Sequence, residues 1–135
     1  MSNPSIKAPA LPRLVLGIED YGKLMAIASS VTGPTADVAD QLIIELDRAR
    51  IVAQAKLPED AVRMGSIVTF TTNDAQQRQL QLVYPGEADI NAGKVSVLTP
   101  IGAALIGLRQ GQTIPWSSRD GRDLVLTVVE VRQEA

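Results

Sequence analysis

The hydrophobic pattern of this chain changes its period once, at Leu57 and Pro58. Before this point apolar residues recur at helical spacing, and after it they alternate with polar residues as β-strands require. The change predicts an α+β fold, in which a short antiparallel helical hairpin (a coiled coil) precedes an antiparallel sheet with one short helix. We therefore divide the chain into a flexible, proline-rich tail over 1–13, the hairpin over 14–56 and a second domain over 57–135.

The helical half predicts one helix over 18–30 and a second over 36–56. Gly33 and Pro34 lie between them, where glycine permits unusual dihedral angles and proline is tolerated only at a helix start. Because the connection is short, the two helices should lie antiparallel.

The second half predicts several short strands and one short helix. The helix begins at Pro100, and the Thr99 side chain is placed to cap it. The strands are expected over residues 66–72, 78–84, 94–98, 113–116 and 124–131.

The composition excludes several classes of function. The chain contains no cysteine and no histidine, which excludes disulfides, Cys/His zinc sites, thiol nucleophiles and Ser-His-Asp triads. Its net charge of -2 disfavours nucleic acid as the main partner, so DNA contact should be at most indirect. No apolar run is long enough to span a membrane, and the spacing from Gly86 to Lys94 does not fit a phosphate-binding loop. We expect a cytoplasmic, monomeric, non-enzymatic protein with no metal and no cofactor.

Two groups of charged residues lie on the second predicted helix. Asp37 and Asp40 are three residues apart, close enough to share a divalent cation, although acidic residues in a first helical turn also stabilise the helix dipole. A second group (Glu45, Asp47, Arg48 and Arg50) is predicted on the outer face. Either solvation with local ion pairs or recognition of a partner would explain it.

Residues 99–108 form the densest run of small and aliphatic residues in the chain. Packing of a short helix over the sheet accounts for most of this run. At its start, an exposed corner formed by Pro100 and Ile101 would also provide an apolar docking patch. Both interpretations remain open for that corner.

Three segments resemble a known family. They are VSVLTPIGAALIGL at 95–108, LVYP at 82–85 and LDRA at 46–49. In this order and spacing they resemble the Gre-factor (GreA/GreB) superfamily, and within it the Rnk-type regulators of nucleoside diphosphate kinase. The resemblance extends over about residues 14–131.

The resemblance implies a coiled coil followed by an FKBP-like domain. In Gre factors that domain docks on RNA polymerase at the rim of the secondary channel, and an acidic coil tip helps to hold a magnesium ion for transcript cleavage. Rnk-type members have a shorter coil. Here the tip at 30–34 contains no carboxylate, so the resemblance implies polymerase binding without stimulation of cleavage. Asp37 and Asp40 are the nearest candidates for a coil-tip role.

The Gre docking site is a serine-proline corner preceded by an acidic residue. The matching positions here are Thr99 and Pro100, with Leu98 at the acidic position. The resemblance therefore implies that Thr99, Pro100 and Ile101 bind RNA polymerase, in competition with Gre factors.

Two other functions remain open. The family also suggests control of the level or activity of nucleoside diphosphate kinase. The FKBP-like fold alone suggests a peptidyl-prolyl isomerase, but such a pocket is lined with aromatic residues. The second domain contains only three of them, Phe70, Tyr84 and Trp116.

Overall fold

The computed structural model describes residues 13–33, 36–73, 77–117 and 123–133. The predicted tail lies outside these residues apart from Arg13. No helix in the described ranges is long and apolar enough to cross a membrane. The elements, in chain order, are β1 (Val15–Gly17), α1 (Ile18–Ser30), α2 (Ala36–Asp47), β2 (Arg50–Val52), β3 (Ile67–Thr72), β4 (Gln77–Val83), β5 (Lys94–Ser96), α3 (Pro100–Leu105), β6 (Thr113–Ser117) and β7 (Asp123–Arg132).

The helices α1 and α2 form the predicted hairpin. They pack against each other, and each buries small or branched apolar residues on one face. Leu24 and Ala28 are buried on α1, and Ala39, Leu42 and Leu46 are buried on α2. The predicted bounds of the first helix are confirmed.

The predicted second helix over 36–56 is wrong in its last nine residues, because α2 ends at Asp47. Residues 50–52 instead form β2, which pairs in parallel with β1. The backbone N–H of Arg50 donates to the Leu14 carbonyl at 2.9 Å. Ile51 and Val52 are β-branched and favour strands, so pairing with β1 outweighs continuation of the helix.

The larger sheet has five strands in the order β5-β4-β3-β7-β6. All neighbouring strands are antiparallel except β4 and β5, which are parallel. The expectation of a purely antiparallel sheet is thus wrong at this edge. The chain between β4 and β5 contains two 3₁₀ turns, Pro85–Glu87 and Ile90–Ala92, which return it to the direction of β4.

One hydrophobic core joins the hairpin to the sheet. It includes Leu16, Leu42, Phe70, Leu105 and Leu126, all 1% exposed or less. The α+β fold is confirmed. The domain boundary at residue 57 stays a prediction, and the core is continuous across it.

Candidate docking surface

Residues 95–108 contain no charged side chain. This segment includes the end of β5, the turn that follows it, the whole of α3 and the first residues after α3. Thr99, Pro100 and Ile101, which we call the corner, lie where this segment turns from strand to helix. All three are partly exposed. Removing water from an uncharged surface costs less free energy than removing it from a charged one, and this favours contact with another protein.

The Thr99 side chain fixes the corner through two hydrogen bonds. Its hydroxyl donates to the Ser96 carbonyl at 2.7 Å and accepts from the Gly102 N–H at 3.1 Å. The Ser96 hydroxyl in turn accepts from the Leu98 N–H at 3.0 Å. The predicted helix cap is therefore confirmed, and it holds the start of α3 against the end of β5.

Gly102 allows α3 to approach the preceding backbone closely. A β-carbon built at this position would lie 2.3 Å from the Ser96 carbonyl oxygen and 2.8 Å from the Val97 α-carbon. Because both contacts are with backbone, no side-chain rotation could relieve them. Glycine at 102 is thus required by the packing of the corner.

Ile101 contributes both to the core and to the surface. Its side chain packs against the hydrophobic core and remains partly exposed, as does that of Leu98. Ile101 therefore fits both interpretations of the corner, because one part of its side chain packs against the core and another part is accessible at the surface. The helix α3 also contacts α2, so the helix that begins at the corner packs against the hairpin.

Asp37 and Asp40 are both exposed near the start of α2, and Asp37 lies in its first turn. Neither carboxylate forms a hydrogen bond or an ion pair with a corner residue among the described residues. Among the described residues, no group of three or more potential ligands could hold a metal ion. Of the predicted tip, Ser30 to Gly33 lie in the described range and contain no carboxylate.

The charged group on α2 is not wholly on the outer face, and Glu45 is only 6% exposed. Its carboxylate lies 2.7 Å from an Arg48 guanidinium nitrogen and also accepts from the Gln41 amide at 3.3 Å. The prediction of a solvated face is wrong for Glu45. Buried carboxylates are stable when paired and hydrogen-bonded, and this one satisfies both conditions.

A second buried polar group lies between the hairpin and the sheet. Asp20 on α1 is 9% exposed, and its carboxylate accepts from the Met64 N–H at 3.4 Å. Burial, and then the negative charges of Asp20 and Glu87, raise the pKa of Tyr84 to about 12. The Tyr84 hydroxyl is buried, and no described residue forms a hydrogen bond with it.

Sequence reasoning missed the strand pair β1-β2 and the role of Gln54 beside it. The Gln54 side-chain oxygen accepts from the backbone N–H groups of Glu19 and Asp20, at 3.0 and 3.3 Å. It thereby caps α1 from a distant part of the chain. A local motif could not reveal this cap, although the β-branched pair after Arg50 was a signal for the strand.

Residues 57–133 match the family model described as "Transcription elongation factor, GreA/GreB, C-term". This range contains the sheet, α3 and the corner. The match therefore covers the complete candidate docking surface.

Relatives and a solved structure extend the similarity to the hairpin. The chain is 39% identical to the "Regulator of nucleoside diphosphate kinase" of Escherichia coli K12 over 124 residues, which are 91% of each protein. It is 33% identical to "Transcription elongation factor GreA" of Rhodospirillum rubrum over 120 residues, covering 82% of this chain and 74% of the relative. A structure of "Prokaryotic transcription elongation factor GreA/GreB from Nitrosomonas europaea" superposes with a TM-score of 0.70 at 34% identity. That superposition covers 90% of this chain and 98% of the other.

Proposed function

Because the chain belongs to the GreA/GreB family of transcription elongation factors, we propose that it is a non-enzymatic regulator that binds RNA polymerase. The corner formed by Thr99, Pro100 and Ile101 makes the contact, near the secondary channel. The protein acts there as a monomer, competes with Gre factors and contacts DNA at most indirectly.

The observation that carries this proposal is the rigid, charge-free corner within the family-matched region. The Thr99 cap and the close approach at Gly102 hold its backbone in one conformation. A preformed apolar surface loses little conformational entropy on binding, which favours its use as a docking site.

A competition experiment tests the proposed function. A fluorescently labelled GreA is bound to core RNA polymerase at moderate salt, and the unlabelled protein is titrated into the complex. We expect full displacement of GreA, with a midpoint that rises linearly with the GreA concentration. No displacement at a saturating concentration of the protein would contradict the proposal.

The shape of the hairpin supports binding without stimulation of transcript cleavage. Its second helix has 12 residues and spans about 18 Å at the usual rise. The described tip residues contain no carboxylate, and Asp37 lies in the first turn of α2, where a negative charge stabilises the helix dipole.

Cleavage is measured in backtracked polymerase complexes, with GreA as the positive control. We expect the protein to leave the cleavage rate at its unstimulated value. Stimulation that disappears in the Asp37→Asn/Asp40→Asn variant would contradict this expectation and assign the two carboxylates a catalytic contribution.

A second function is favoured by the 39% identity with the "Regulator of nucleoside diphosphate kinase" of Escherichia coli K12. In that case the protein would regulate the level or activity of this kinase. Addition of the purified protein to purified kinase separates the two proposals. A saturable change in kinase turnover supports direct regulation of the kinase, whereas no change leaves polymerase as the partner.

A further inference from the structure

A cleft of about 370 Å³ lies where the strand pair β1-β2 meets the loop after α3. It shares no residue with the corner. Of the nine described residues that line it, four are positively charged: Arg13, Arg50, Lys56 and Arg109. We call this the basic cleft.

The positive charge of the basic cleft is largely uncompensated. Arg109 pairs with the Asp60 carboxylate at 3.0 Å, but Arg13, Arg50 and Lys56 form no ion pair with any described residue. All three are exposed. The chain has more acidic than basic residues, 15 against 13, so this concentration of cations does not follow from the overall charge.

The backbone that carries these cations is held by hydrogen bonds from both halves of the fold. Besides the bond from Arg50 to Leu14, the Gln112 side-chain amide donates to the Arg13 carbonyl at 3.4 Å. The Gln112 side-chain oxygen accepts from the Arg109 N–H at 2.8 Å. Gln112 thus connects two of the four cations, and the cleft is formed before any ligand arrives.

The remaining lining includes apolar side chains. Val15 is 9% exposed and belongs to a small core cluster, against which the partly buried Val52 packs. The cleft therefore combines an apolar wall with cations, and its volume lies in the range typical of sites for small organic molecules. Arginine binds phosphate through paired hydrogen bonds, and several cations together favour a ligand with more than one phosphate group.

We propose that the basic cleft binds a small organic molecule carrying a di- or triphosphate group. The phosphates contact Arg50, Lys56 and Arg13, and the organic part lies against Val15 and Val52. This site is separate from polymerase docking and goes beyond the proposed function.

Binding is tested by isothermal titration calorimetry with three probes at about 0.1 M salt, where charges within about 10 Å of each other still interact. The probes are ADP, inorganic pyrophosphate and adenosine, which separate the contribution of the phosphates from that of the organic part. We expect saturable one-to-one binding of ADP that is tighter than binding of either fragment. Absence of saturable ADP binding, or pyrophosphate binding as tight as that of ADP, would overturn the proposal.

The matched variants are Arg50→Gln/Lys56→Gln in the cleft and Lys23→Gln/Arg78→Gln outside it. Each removes two positive charges from exposed positions, so the overall charge changes equally. We expect ADP binding to weaken by about tenfold or more in the cleft variant only.

Equal weakening in both variants would show that ADP is attracted nonspecifically by positive charge, and would contradict the proposed site. Binding of a single-stranded oligonucleotide without binding of ADP would also overturn it. Thermal unfolding of each variant verifies that the fold is retained.

Discussion

The hairpin and the helix that begins at the corner each contain a glycine, Gly22 in α1 and Gly102 in α3, but the two glycines differ in their surroundings. A β-carbon at Gly22 in α1 would have no heavy atom within 4 Å, whereas one at Gly102 in α3 would collide with the backbone of Ser96 and Val97. The backbone of α1 thus has open space beside it at Gly22, whereas the backbone of α3 is closely packed at Gly102. The difference shows that the conformation of the corner is set by backbone packing.

The two regions also differ in charge. The helix α2 carries exposed carboxylates and the buried Glu45, which pairs with Arg48 just beyond the helix, while the segment over 95–108 has no charge at all. Both regions contribute to one hydrophobic core. Both regions therefore contribute to stability, whereas an uncharged and partly exposed surface is found only at the corner when the two are compared.

The largest expected effect is that of Gly102→Ala. The new methyl group would meet backbone at 2.3 Å, so α3 would have to move away from β5. We expect a loss of about 3 kcal/mol or more in the free energy of unfolding. Urea denaturation measures this loss. A free energy within about 1 kcal/mol of the unchanged protein would show that the corner can relax.

A smaller loss is expected when the partly buried ion pair between Glu45 and Arg48 is broken in the hairpin. Glu45→Ala removes the carboxylate that contacts the Arg48 guanidinium, in a site where the Arg48 side chain is 24% exposed. Because partial exposure lets water reach the arginine, we expect about 2 kcal/mol of destabilisation. The control is Asp40→Ala on the exposed face of the same helix, where the change should stay within about 0.5 kcal/mol. Equal losses in the two variants would show that the pair has no special role.

A gain in stability is expected for Gly22→Ala. The added methyl group meets no atom, and alanine restricts the unfolded chain and favours the helix, so we expect about 0.5–1 kcal/mol of stabilisation. The same denaturation measurement applies. Destabilisation here would remove the contrast between the two glycines.

The smallest effect at neutral pH is expected for Tyr84→Phe, because the buried hydroxyl has no hydrogen-bond partner among the described residues. The free energy of unfolding should change by about 0.5 kcal/mol or less. Above pH 10 the two proteins should diverge, since the pKa of Tyr84 is about 12 in the folded protein against a usual value of 10.0. The folded state holds the phenolic proton more tightly, so this contribution to stability is present below pH 10 and is lost as the pH rises towards 12. Parallel stability profiles for the two proteins between these pH values would contradict the account.

Local patterns in the sequence predict the elements well where the chain's own residues determine them. The helix over 18–30, the Thr99 cap and most strands follow from spacing, capping and turn residues. Patterns fail where distant contacts decide the structure. Pairing with β1 ends α2 before Arg50, and contact with Arg48 and Gln41 permits the burial of Glu45.

The two candidate sites also differ in whether local sequence patterns could predict them. The corner was predictable because its residues are contiguous in the sequence. The basic cleft was not predictable, because its cations come from residues 13, 50, 56 and 109 and meet only through the β1-β2 pair and the loop after α3. No local motif connects these positions.

The most direct test of the central claim compares two isoleucines, one in each region. Ile101 lies at the corner, and Ile44 is 57% exposed on α2. The affinity of Ile101→Ala and Ile44→Ala for core RNA polymerase is measured together with the thermal unfolding of each variant. We expect about tenfold weaker binding, or about 1.4 kcal/mol, for Ile101→Ala while it remains folded, and unchanged binding for Ile44→Ala. Full affinity of folded Ile101→Ala, or a loss of affinity confined to Ile44→Ala, would contradict docking through the corner.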